Sequence, residues 1–200
     1  MAKIKKTQPK LFNGFQTRDL FQTPNYATEL LIPFIPEDIF HVWECASGEG
    51  KIAKVLHING YSVLCTDLRK TEVTPYNRFN FLTARLIDLA EEAKALLQVE
   101  CIITNPPFSI KDKFVEKCFE YELPFALLIN ADYGLQSINW IQRGCEKIIP
   151  TRRIDFITPT GLSGLSGHTA NFHSFWLTRY FNLGATEIFV ELTNEQKKNI

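Results

Sequence analysis

Ile39 to Asp67, IFHVWECASGEGKIAKVLHINGYSVLCTD, is the stretch whose reading decides the fold. An apolar run, Ile39-Phe40-His41-Val42-Trp43, ends at Glu44 and passes into a glycine-containing turn, Cys45 to Gly50. A helix-like segment, Lys51 to Asn59, follows, and a second apolar run from Tyr61 to Thr66 ends in Asp67. Strand, turn, helix and strand in that order predict a βαβ unit, and a parallel pair needs such a crossover.

Working outward, the same alternation continues. The pattern predicts helix 27–34, ended by Pro33 and Pro36, strand 39–44, helix 50–59, strand 61–66, a short strand 77–81 and helix 83–97. Strand 99–104, helix 110–121, strand 124–130 and helix 134–143 come next, then late strands near 147–157, 172–180 and 186–192. Short apolar strands alternating with helices through the first 145 residues predict an α/β fold, Rossmann-like, with a mostly parallel sheet covered on both faces. The last third lacks helices and predicts antiparallel strands at the C-terminal edge. No internal repeat or linker divides the chain, so residues 19–200 read as one domain behind a basic arm, residues 1–18.

The turn carries chemistry. Gly48 and Gly50 let a ligand approach the backbone, as in a nucleotide-cofactor cradle, although this spacing is not GxGxxG and is also compatible with a simple turn cap. Glu44 stands before the glycines, where it would repel a pyrophosphate but tolerate a sulfonium cofactor with a free amino group. Asp67 lies 23 residues beyond it, a spacing that puts a carboxylate at the ribose of a bound nucleoside. The alternative is that Asp67 caps the next segment.

A second motif, Asn105-Pro106-Pro107-Phe108, directly follows the apolar run Val99 to Thr104. An Asn side-chain oxygen and the carbonyl of the next Pro can accept the two hydrogens of a planar amine and turn its lone pair toward a methyl donor. Consecutive prolines fix φ and remove competing backbone donors. Phe108 offers a face on which a flipped-out base could stack. Taken alone, the motif is equally a turn after a strand.

Together these residues resemble the class I S-adenosylmethionine-dependent amino-methyltransferases of the N6-adenine type, over roughly Thr23 to Phe181. The resemblance implies that Thr23 and Pro24 contact the methionine end of S-adenosylmethionine and that Glu44, Ala46, Gly48 and Gly50 form the glycine motif. It further implies that Asp67 holds the ribose, that Asn80 and Phe81 lie beside the adenine, and that Asn105 to Phe108 form the catalytic motif, with Asn105 also near the cofactor. Asn80 stands where the family commonly has Asp, which keeps an acceptor and drops a charge. With 200 residues there is no room for a separate target-recognition domain, which implies recognition by loops, a homodimer or a partner subunit. The small architecture also resembles enzymes of bacteriophages and mobile elements.

Composition agrees with one domain: 45% of residues are hydrophobic, ample for a core, and no apolar stretch reaches the ~18 residues of a membrane span. No secretory core is visible, so a cytoplasmic protein without a membrane anchor is expected. The five cysteines, Cys45, Cys65, Cys101, Cys118 and Cys145, are scattered without a CxxC pair, which predicts reduced thiols and no metal site. A formal net charge of zero argues against a dedicated DNA binder, since phosphate neutralisation supplies much of such affinity. Local clusters answer this in part: Lys3, Lys5, Lys6 and Lys10 in the arm, Lys111 and Lys113 after the proline motif, and Lys147, Arg152 and Arg153 later.

The segment Thr158 to Thr169 spaces Gly161, Gly164 and Gly167 by three and adds hydroxyl side chains. It reads as a hydrogen-bonding loop that closes over a base or a nucleic-acid backbone, with His168, Lys111 and Arg152 or Arg153 as substrate contacts, or as a passive surface loop. Trp43, Trp140 and Trp176 read as core. The combined reading is DNA N6-adenine methylation. RNA N6-adenine methylation and a cofactor-binding module without turnover remain open, and cytosine N4 and protein glutamine are less well matched by the motif.

Overall fold

A computed structural model describes residues 17–69, 71, 76–77, 79–86, 99–131, 135–158, 161–162 and 172–198. Among them, strands β1 (His41–Glu44), β2 (Ser62–Asp67), β3 (Tyr76–Asn77), β4 (Cys101–Thr104), β5 (Phe125–Asn130), β6 (Cys145–Pro150), β9 (Ser174–Arg179) and β10 (Glu187–Val190) form one sheet. Its order is β10-β6-β9-β5-β4-β1-β2-β3. A small antiparallel hairpin, β7 (Ile157–Thr158) with β8 (Gly161–Leu162), stands apart. The α-helices among the described residues are α1 (Asn25–Glu29), α2 (Lys51–Ile58), α3 (Lys111–Tyr121) and α4 (Leu135–Gln142).

The period-two alternation of strands sorts the core into two layers. Val42, Cys101, Ile103, Ala126 and Leu128 face one side, where α1 and Ile52 and Leu56 of α2 cover them. Trp43, Ile102, Phe125 and Leu127 face the other, against Phe114, Val115 and Cys118 of α3. Both faces being covered explains why β4 and β5 read as unbroken apolar runs rather than alternating ones. Trp43, Trp140 and Trp176 are all buried, and the Trp176 indole Nε1 donates to the Ala27 carbonyl at 2.8 Å.

The sheet is the mostly parallel, Rossmann-like arrangement expected from the sequence, with one detail that only the register reveals. β9 slots between β5 and β6, antiparallel to both, through pairs running from Phe125↔Arg179 to Asn130↔Ser174. β10 then pairs parallel to β6 at the edge. Strand order reverses between β1 and β4, so a crevice opens at their carboxyl ends.

Several element boundaries differ from expectation. The helix expected at 27–34 stops at Glu29 and resumes as a 3-10 turn, Ile32–Phe34, because Pro33 has no N–H to continue it. The strand expected at 77–81 is only Tyr76–Asn77. Asn80 turns the chain instead, its Oδ1 accepting from Leu82 N at 3.1 Å, and this leaves Asn80 and Phe81 in a turn. The strand expected at 147–157 ends at Pro150, and the chain resumes extended pairing only at β7. The first part of the expected loop at 158–169 is not irregular: Thr158 and Gly161 pair across the hairpin. His168, most of helix 83–97 and nearly all of the basic arm lie outside the described residues.

Among the described residues no helix is long and apolar enough to cross a membrane, and no cluster of His, Cys, Asp or Glu has the make-up of a metal site. The five cysteines are unpaired thiols, four of them buried.

Candidate functional site

A cleft with ≈ 900 Å³ of free space, its open mouth included, lies at the carboxyl ends of β1, β2 and β4. Thr23, Glu44, Ala46, Gly48, Asp67, Asn80, Phe81, Asn105 and Pro107 all line it. The sequence separates these residues by more than 80 positions, and the reversal of strand order brings them together.

Glu44 ends β1 and is 1% exposed. Its Oε2 accepts from Ala53 N, in the first turn of α2, at 2.9 Å. Burial pushes its carboxyl well above the ordinary carboxylate range; the Ala53 hydrogen bond opposes the shift and nearby Asp67 adds to it.

The glycine turn wraps from Glu44 to α2. Gly48 adopts φ +53 and Gly50 φ +72, both left-handed, so the chain can reverse without a Cβ. A Cβ on Gly48 would stand 2.7 Å from Gln22 Oε1. Gly48 N donates to Asp67 Oδ2 at 2.8 Å, tying the turn to the end of β2. Arg69 completes that carboxylate, with its backbone N and Nε donating to Oδ1 at 2.7 and 3.2 Å.

One wall is aromatic. Phe81 stacks on Phe114 with centroids 4.7 Å apart, and Trp43 meets Phe81 edge-on at 5.2 Å. Phe79, Phe81, Leu82 and Phe114 give the cleft an apolar wall, with Trp43 packed behind it.

The second motif follows β4 directly. Asn105 Nδ2 donates to Thr23 Oγ1 at 3.1 Å, whereas Asn105 Oδ1 is buried without a partner. A buried amide oxygen left unpaired is costly unless a ligand supplies the donor. Ser109 is held by Asp19, its N donating to Oδ1 at 3.0 Å and its Oγ to Oδ2 at 2.7 Å. The N-terminal segment thus crosses the cleft as a strap. Asp19 and Thr23 grip the proline turn, and Gln22 Oε1 accepts from Glu49 N on the glycine turn at 3.0 Å. Backbone pairing of Gln22 with Ile157 secures the strap to the hairpin.

Not every residue singled out by sequence lines the cleft. Pro24 caps α1 and Gly50 caps α2, so both shape the site from behind. Pro106 is buried, and Phe108 is 7% exposed. The Phe108 ring packs against Phe21, Phe156 and Phe172 at centroid distances of 6.2, 5.6 and 5.4 Å. Lys111 begins α3 outside the cleft, and Arg152 and Arg153 are exposed beyond β6, where Arg152 donates to Asn194 Oδ1 at 3.1 Å. Sequence reasoning missed Asp19, Gln22 and Arg69. Arg69, two positions after Asp67, was legible as a neighbour; the Asp19–Ser109 pair spans 90 positions and leaves no local signal.

No family model matches the chain, and no curated protein matches it. Solved structures do share its fold. The methyltransferase subunit of a type I restriction-modification system from Streptococcus thermophilus superimposes with a TM-score of 0.54 at 10% identity. That match covers 89% of this chain and 51% of the other, so this chain spans about half the length of that subunit. A candidate hemolysin from Lactococcus lactis superimposes with a TM-score of 0.50 at 16% identity, covering 77% of this chain and 85% of the other. At these identities the likeness establishes the fold.

Proposed function

We propose that this chain is an S-adenosylmethionine-dependent methyltransferase acting on the N6 amine of adenine in DNA. The observation that carries the reading is the Asn105 amide. Thr23 holds its nitrogen, and its oxygen is buried with no donor from the protein, in a residue that lines the cleft. An exocyclic amine is a donor that can satisfy it, which a carbonyl or an ionised carboxylate cannot.

The residues present fit the cofactor. Glu44 offers a carboxylate to its amino group, Asp67 to its ribose hydroxyls, and the Phe79–Phe81–Phe114 wall a place for its adenine. S-adenosylmethionine, when bound, supplies an electrophilic sulfonium methyl. The chain's own part is positional. Asn105 Oδ1 and the Pro106 carbonyl accept the two amine hydrogens, which turns the nitrogen lone pair out of conjugation and fixes its direction. The proton is lost only after the nitrogen has become cationic, so no general base of matched pKa is needed.

The test is transfer of a labelled methyl group from S-adenosylmethionine onto unmethylated duplex DNA, single-stranded DNA and total RNA, by wild type and Asn105→Ala, followed by nucleoside mass analysis. N6-methyladenine in DNA that vanishes with Asn105→Ala is the expected result. Label confined to RNA would move the substrate to the second reading, which the zero formal net charge favours. Cofactor binding with no label anywhere would make the chain a binding module.

A further inference from the structure

Asp67 ends β2 on the cleft wall, and the protein already engages both of its oxygens. Gly48 N donates to Oδ2 at 2.8 Å and Arg69 N to Oδ1 at 2.7 Å. The Arg69 guanidinium covers the remaining directions, with Nε 3.2 Å from Oδ1 and Nη2 3.4 Å from Oδ2. A carboxylate has about four acceptor directions. The two backbone donors take two of them, so a vicinal diol and the guanidinium compete for the same two.

Only one of the partners can yield. The Asp67 side chain is 6% exposed and fixed at the end of its strand, whereas that of Arg69 is 37% exposed. Arg69 also lines a second cavity, on the outer side of Gln22 and Gly48, which Thr71 and Thr158 complete. Among the described residues Arg69 is the cation and Glu49 the acid on that lining.

We infer that Arg69 is a latch on Asp67 that the ribose of the cofactor displaces, and that the displaced guanidinium then serves a substrate phosphate, so that cofactor and nucleic acid strengthen each other's binding. The inference rests on the methyltransferase reading above. Coupling of this kind is reciprocal: whatever nucleic acid adds to cofactor affinity, cofactor adds to nucleic-acid affinity.

The experiment is calorimetric titration with S-adenosylhomocysteine, which carries the ribose and permits no turnover, into wild type and Arg69→Gln, each with and without unmethylated duplex DNA. Arg69→Gln is expected to bind about two- to fivefold tighter than wild type without DNA, the scale of one partly exposed ion pair. Wild-type affinity is expected to rise when DNA is added, and that of Arg69→Gln to stay where it was. Equal or weaker binding by Arg69→Gln without DNA, or a DNA-dependent gain that survives the substitution, overturns the latch while leaving the methyltransferase reading in place. Absence of binding by the wild type overturns both.

Discussion

The glycine turn Cys45 to Gly50 and the proline turn Asn105 to Phe108 leave adjacent strands of one sheet, yet they are built on opposite principles. The first omits side chains where the chain reverses, with left-handed φ at Gly48 and Gly50 and Gln22 packed where a Gly48 Cβ would stand. The second removes backbone freedom so that two acceptors stay where they are. One loop makes room and the other holds position. The strap from Asp19 to Thr23 joins them, with Gln22 on the glycine turn and Asp19 and Thr23 on the proline turn. The difference teaches that substitutions in the first should act on stability and cofactor affinity, and substitutions in the second on turnover.

The largest effect that would sharpen this contrast is at Asn105. Asn105→Ala should lower kcat by about 10²–10³-fold, the scale of removing one preorganised hydrogen-bonding group, with a stability loss no larger than the about 0.5–1.5 kcal/mol of its hydrogen bond to Thr23. A stability loss well beyond that of the one hydrogen bond would break the contrast, because the residue would then be structural.

Next comes Glu44, on the glycine side. Its folded-state pKa lies above its unfolded value, so the stabilisation from the protonated form is complete below the unfolded pKa. It is lost as pH rises toward the folded pKa, by at most about 1.4 kcal/mol per pH unit. Denaturant titrations of the cofactor-free protein between about pH 5 and pH 8 should show Glu44→Gln gaining on wild type as pH rises. Parallel pH profiles for the two proteins would remove Glu44 as the ionising group.

Gly48→Ala should destabilise by about 1–2 kcal/mol through left-handed strain, and should weaken cofactor binding as the new Cβ displaces Gln22. Pro107→Ala in the opposite loop should cost only about 0.4–1 kcal/mol, chiefly through the unfolded chain, while still lowering kcat. Similar stability losses at the two positions would show that the loops are not built differently.

A smaller effect on turnover than that of Asn105→Ala is expected at the strap. Thr23→Val keeps the shape but removes the acceptor for Asn105 Nδ2, which is worth about 0.5–1.5 kcal/mol and about three- to tenfold in kcat. Thr23→Ser should restore the rate. If the serine variant remained as slow as the valine one, Thr23 would be acting through its packing and not through its hydroxyl.

Much of this was legible in the chain order. The βαβ unit, the acids at the ends of β1 and β2 and the motif after β4 were all readable, because periodicity and turn chemistry are local. Phe81 shows where locality fails. Its sequence setting reads as strand, but an Asn80 side-chain hydrogen bond to Leu82 N turns the chain, and the ring reaches the cleft from that turn. Phe108 shows the same limit: the motif offers a ring for stacking, and whether that ring is open or packed depends on Phe21, Phe156 and Phe172, residues 87, 48 and 64 positions away.

The sequence by itself determined the fold class, the order of the motifs and the kind of chemistry each can do, because apolar periodicity and side-chain type are properties of a few neighbouring residues. Only the tertiary structure decided that β9 enters between β5 and β6, that Asp19 grips Ser109, that Thr23 leaves the Asn105 oxygen unpartnered, and that Arg69 closes Asp67. Most of these depend on which distant segments come into contact, and even Arg69, adjacent in sequence, takes its meaning from the cleft wall that β2 and the glycine turn build around it.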